Sequence, residues 1–258
     1  MRLAFLAVSI IALALPACCE QGSGRIVKQT RQVEGWDGLV VDIPANLTVT
    51  EGPAGPIRIE TDDNLIEQIT TRTDGGELYL GHENACCIEP TALRVTLSTE
   101  TLRSIRIDGS ADITVDTQFA GEALDLQIDG SGSIVALSPL EFASVAIDID
   151  GSGQVEVDVA ANQLNSTIDG SGDLLLRGTA ATHASDIDGS GYVAAFGLQT
   201  EATTVRVDGS GDLELSASER LEIHVDGSAT IAYCGSPALS RDVDGSASIG
   251  PASAGRCP

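Results

Sequence analysis

Aliphatic and polar residues alternate with a period of two over most of the chain. Beyond residue 100 one tripeptide, Asp-Gly-Ser, punctuates the alternation. It occurs eight times, at Asp108, Asp129, Asp150, Asp169, Asp188, Asp208, Asp226 and Asp244. An Ile or Val precedes each aspartate, from Ile107 to Val243, and a Gly or Ala follows each serine. After one variable position comes another aliphatic residue: Ile113, Ile134, Val155, Leu174, Val193, Leu213, Ile231 or Ile249. Period-two alternation predicts strands, and the glycines predict a bend or a close backbone approach between two short ones. Successive aspartates lie 21, 21, 19, 19, 20, 18 and 18 residues apart, and a period near twenty marks a repeat architecture.

One such unit is too small to hide its own apolar face, so units must stack. The predicted fold is all-β: a single-stranded parallel β-helix, or β-solenoid, with rungs of about 20 residues. At about 4.8 Å per rung, eight rungs make a rod segment of roughly 40 Å. An aromatic content of 3% suits a narrow interior. One outward column is predicted just before the inner Ile or Val: Gln127, Asp148, Thr167, Asp186, Arg206, His224 and Asp242. Residues 33–107 also alternate, less regularly, at Leu39, Val41 and Ile43, then Ile57 and Ile59, then Leu78 and Leu80. Breakers such as Gly52-Pro53 and Asp74-Gly75-Gly76 separate these runs. This region is expected to begin or cap the solenoid, with one short helical turn at 64–70. The repetitive solenoid is assigned to 108–250. The tail, 251–258, is expected to cover its far edge.

Residues 1–17 read as an export signal of lipoprotein type. Arg2 supplies a positive start, an apolar run follows from Leu3 to Leu15, and Leu15-Pro16-Ala17-Cys18 resembles a bacterial lipobox. Cys18 is then the lipidated first residue, anchoring an exported protein to a membrane. Cleavage after Ala14 or Ala17 is the rival reading. Residues 18–32 are expected to form a flexible tether. No aspartate follows Cys18, which favours an outer-membrane or periplasmic location, with display at the cell surface as the extension. In an exported chain, Cys86, Cys87, Cys234 and Cys257 allow three disulfide pairings. Cys234 with Cys257 would staple the last rung to the tail. Cys86 and Cys87 are adjacent, and either one pairs elsewhere or both form a vicinal bridge.

A formal net charge of −24 repels nucleic acid on electrostatic grounds; it is compatible with divalent cations or basic partners, while the plainer reading is an acidic surface that keeps the protein soluble. In register, Asp108, Asp129, Asp150, Asp169, Asp188, Asp208, Asp226 and Asp244 form a carboxylate ladder. Like charges so close need an offset. Calcium, which accepts carboxylate oxygens in flexible geometry, is one candidate. The plainer reading has each aspartate accept backbone N–H groups from its own Gly-Ser turn. The eight repeat serines, Ser110 to Ser246, form a second column. Catalysis would need a base beside one nucleophile, and none of His82, His183 and His224 recurs with an acid. His183 lies two positions from the inner Ser185, where a surface or packed histidine is the expectation. The sparse aromatics Trp36, Tyr79, Tyr192 and Tyr233 argue against a sugar-cleaving groove. No catalytic residue and no cofactor other than calcium is expected.

Three stretches resemble a known family: Trp36-Asp37-Gly38-Leu39-Val40-Val41, the Gly-Ser-Gly-x-aliphatic units, and Ile231-Ala232-Tyr233-Cys234-Gly235-Ser236-Pro237. Over about residues 33–249 the chain resembles the auto-transporter adhesin head, or GIN-domain, family. The resemblance implies a β-solenoid on an exported or lipid-anchored protein and carries no catalytic residues. The aspartate before every Gly-Ser departs from the family's looser pattern. The expected function is a non-catalytic structural or adhesion module of the cell envelope. Its expected partners are a surface protein or glycan, and self-association is a further expectation. A carbohydrate-binding or carbohydrate-active β-helix and a calcium-stabilised scaffold are the alternatives.

Overall fold

The computed structural model of the chain describes residues 19–83, 87–253 and 255–257. The signal region, Cys18 and Cys86 lie outside them. The described chain is all-β. Its strands are β1 (Glu20–Gln21), β2 (Ile26–Arg31), β3 (Gly38–Val41), β4 (Asn46–Glu51), β5 (Ile57–Asp62), β6 (Ile69–Asp74), β7 (Glu77–His82), β8 (Ile88–Glu89), β9 (Arg94–Thr99) and β10 (Ser104–Gly109). There follow β11 (Asp112–Val115), β12 (Phe119–Gly130), β13 (Ser133–Ala136), β14 (Leu140–Gly151), β15 (Gln154–Gly170), β16 (Asp173–Gly189), β17 (Tyr192–Ser216), β18 (Arg220–Cys234) and β19 (Ala238–Pro251).

From β10 to β19 every coil lies parallel on the one before it, and the eight Asp-Gly-Ser units fall in register. Coils of about 19 residues make this a β-solenoid. Alternation fills the interior with stacked aliphatic columns. One runs Leu80, Val41, Ile107, Ile128, Ile149, Ile168, Ile187, Val207, Val225 and Val243. All of these but Val243 are at most 2% exposed, so the lateral face of each coil is hidden by its neighbours.

The stack continues beyond the repeats, in an order that differs from the chain's. The coil formed by β3 and β4 lies between the first repeat coil (β10 and β11) and an outer one built from β7 and β9. The chain therefore leaves the β3–β4 coil, builds the end, and returns to its other face. Antiparallel pairing closes that end, with β6 beside β7, and β5 between β9 and β2.

Several expectations are corrected here. Residues 18–32 are no flexible tether where the structure describes them. β1 pairs with β8 and β2 with β5, while Arg25 forms an ion pair with Asp63. The Asp62 carboxylate is fully buried and accepts the Gly24 and Thr91 N–H groups, each at 2.7 Å. Burial acts to raise the Asp62 pKa, but these donors outweigh it and hold the group below the usual aspartate range. By contrast, the short helical turn expected near 64–70 has its counterpart in a turn that begins at Asp62. Leu65 and Ile66 both donate to the Asp62 carbonyl, and the chain enters β6 at Ile69. A vicinal bridge is also ruled out, because Cys87 is bonded to Cys19. Cys234 and Cys257 are bonded as expected. The tail, however, runs back along the outside of the rod. Arg256 bonds Glu214 and stacks over Phe196, so the described tail residues leave the last coil uncovered.

Candidate functional site

Each corner is built by a division of labour among four residues. The Ile or Val points inward and the aspartate outward. The next residue is a glycine with φ between +117° and +134°, a region costly for any residue with a Cβ. From Gly130 onward a Cβ there would also meet the carbonyl oxygen of the glycine one coil below, 2.1–2.5 Å away. That approach is used: Ser131, Ser152, Ser171 and Ser190 donate their N–H to the glycine carbonyl of the preceding coil at 2.6–2.8 Å. The small residue after serine faces the core. A Cβ on Gly153 would lie 2.6 Å from Ile128, whereas the corners at Ala111, Ala229 and Ala247 accommodate one.

This bonding replaces the self-capping turn expected for the aspartates. The serine N–H serves the neighbouring coil and is not free to bond its own unit's carboxylate. Among the eight, only Asp108 has a side-chain hydrogen bond, from Arg106 Nε at 2.7 Å. Asp129 to Asp244 are exposed, as are all eight repeat serines. In-register parallel pairing sets successive carboxylates about 4.8 Å apart. Asp148, in the adjacent outward column, shows the effect of the crowding. Partial burial, then the charges of Asp125, Asp150 and Asp169, raise its pKa. Among the described residues no three His, Cys, Asp or Glu side chains converge as a closed metal cage would. The ladder offers side-by-side carboxylates.

Near the far end, the corner face opens into a depression of about 1040 Å³, lined by Ser190, Tyr192, Ser210, Asp212, Arg241 and Ile249 among others. It mixes hydroxyls, a carboxylate, a guanidinium and an aliphatic floor.

Register also assembles a polar island inside the rod, which motif reading did not find. Ser166 and His183 lie 3.1 Å apart, Oγ to Nε2, and each is 2% exposed. Thr203 stacks over His183 and bonds Thr200 at 2.7 Å. Ser185, stacked over Ser166, has a buried hydroxyl with no partner. Burial lowers the His183 pKa to about 4, so the ring is neutral near pH 7. A buried Ser–His pair cannot meet a substrate. The signal lay in parity, since Ser166, His183 and Ser185 all occupy inward positions. His224 lies outside, 3.0 Å from Glu222.

The family model described as "Putative auto-transporter adhesin, head GIN domain" matches residues 35–237, and the chain belongs to that family. A crystal structure described as a "putative adhesin" from Parabacteroides merdae is similar with a TM-score of 0.86 at 18% identity, over 90% of this chain and 98% of that one. A "putative lipid binding protein" from Parabacteroides distasonis is similar with a TM-score of 0.85 at 21% identity, over 90% of this chain and 99% of that one. At these identities the likeness establishes the fold. No curated protein matches. Family and fold speak for a non-catalytic, adhesin-like module, and with the disulfides for an exported protein of the envelope or cell surface.

Proposed function

We propose that this protein is a lipid-anchored structural or adhesion module that holds a rigid, multivalent face away from the outer membrane. The observation that supports this most is the eightfold in-register column of outward Asp and Ser side chains on one stack. A contact made weakly at one corner can be made again at the next, so avidity builds without a deep pocket. Its partners are surface proteins or glycans. Nucleic acid is repelled by the net charge of −24.

The test is binding of the whole secreted chain to immobilised envelope glycans and surface proteins, beside a variant with serines 152, 171, 190 and 210 changed to alanine. Retention should fall steeply in the variant while its melting temperature stays close to that of the parent. Turnover of a glycan, abolished by changing one carboxylate, would overturn the reading. Loss of lipid labelling in Cys18→Ala tests the anchor separately. A carbohydrate ligand is the second reading, favoured by the hydroxyl-lined depression beside the exposed Tyr192.

A further inference from the structure

The two ends of the rod differ. Antiparallel strands close the first, whereas β19 pairs with β18 on one side and with no described strand on the other. Its inward positions are consequently open. Leu239 and Val243 are each 39% exposed, while Leu221 and Val225 beneath them are 0% and 2% exposed. The tail does not cover them, since it is drawn back by the Cys234–Cys257 bond and by Arg256 on Glu214.

One residue in this rim breaks its column. Arg241 is the one charged residue in an inward column that runs Ile105, Leu126, Ile147, Ser166, Ser185, Val205 and Ile223 below it. It is exposed, lines the depression with Val243 and Ile249, and has no ion pair among the described residues. An inward charge on an edge strand opposes pairing between identical edges. Two copies meeting rim to rim would bring two Arg241 side chains together between acidic rods, and the opposite end offers no second coil rim, since antiparallel strands cover it and its free edges are those of β2 and β6. The same charge favours a different strand that carries a carboxylate.

We propose that the open coil is a docking site for an extended segment of another polypeptide, which adds along β19 as one more strand and sets an acidic side chain over Arg241, with aliphatic side chains two residues away over Leu239 and Val243. Backbone pairing supplies general affinity, and the Arg241–carboxylate pair with its aliphatic neighbours selects the segment. This inference rests on the end of the stack and is independent of the corner columns.

The probe is a synthetic peptide copying residues 220–234, with Ile223→Glu to face Arg241 and Cys234→Ser to prevent disulfides. Its binding to the whole chain is read by fluorescence anisotropy at 0.15 M salt, where exposed charges are largely screened beyond about 8 Å. The glutamate peptide should bind, and a peptide with Ile223→Lys should bind roughly ten- to a hundredfold more weakly. In Arg241→Glu the preference should reverse. If that variant does not fold, the comparison of the two peptides on the parent chain still decides the matter. Equal binding of both peptides, or no binding of either, would overturn the proposal. So would sedimentation showing that the rim is occupied by a second copy.

Discussion

A methyl group on Gly170 would lie 2.4 Å from the Gly151 carbonyl oxygen, on a backbone held at φ +121°. Gly109 has the same kind of backbone, φ +129°, but nothing within 4 Å, and Gly250 has neither constraint. Changing each to alanine should therefore separate the two costs. Urea melts should show Gly250→Ala within about 0.5 kcal/mol of the parent and Gly109→Ala lower by about 1–3 kcal/mol. Gly170→Ala should be worse than about 3 kcal/mol, since overlap adds to backbone strain. Equal losses at Gly109 and Gly170 would refute the close approach. His183 gives a second prediction. Its pKa falls from 6.5 unfolded to about 4 folded, so the unfolded chain binds the extra proton between these values. The contribution is intact above pH 6.5 and is lost as pH falls toward 4, by about 3 kcal/mol. The double variant Ser166→Val with His183→Leu should remove that component of the acid profile while melting no lower at pH 7, because neither partner is stranded.

Among the elements, the tail is joined to the rod from outside. Ala252 N–H reaches the Tyr233 carbonyl, and Cys257 reaches Cys234. Cys257→Ser should therefore free residues 252–257 to amide exchange while leaving the cooperative melt of the coils nearly unchanged. A melt broken into two steps would show that the tail holds the last coil. The tail's course could not be read from the chain, and the reason is general. Alternation shows which side chains turn inward, and the spacing of Asp108 to Asp244 shows which residues stack, so the repeat coils were legible almost residue by residue. Neither signal reports pairing between segments far apart. The insertion of the β3–β4 coil between β9 and β11, and the bond from Cys19 to Cys87, depend on such pairings. The corner aspartates were misread for a related reason. An isolated Asp-Gly-Ser favours a self-bonded turn, but stacking offers the serine N–H the glycine carbonyl of the neighbouring coil.

At the scale of the whole molecule, electrostatics opposes the stack that apolar burial creates. Fourteen cationic residues face thirty-eight acidic ones, and eight of the carboxylates line one ridge. Raising sodium chloride from 0.02 to 0.5 M should raise the melting temperature, because the Debye length shortens from about 20 Å to about 4 Å. Calcium at millimolar concentration should raise it further than magnesium at matched ionic strength if neighbouring carboxylates share the ion, since calcium accepts irregular oxygen geometry more readily. Identical curves would assign the ridge to solvation alone. The firmly held start of the chain has a mechanical consequence. With Cys19 bonded into the base and β2 locked against β5, an anchor at Cys18 would leave no slack between bilayer and first coil. The molecule would stand as a stiff peg, and its free rim would sit at a height set by the number of coils. Each added or deleted repeat would move that rim by about 4.8 Å, a ruler written in units of one Asp-Gly-Ser.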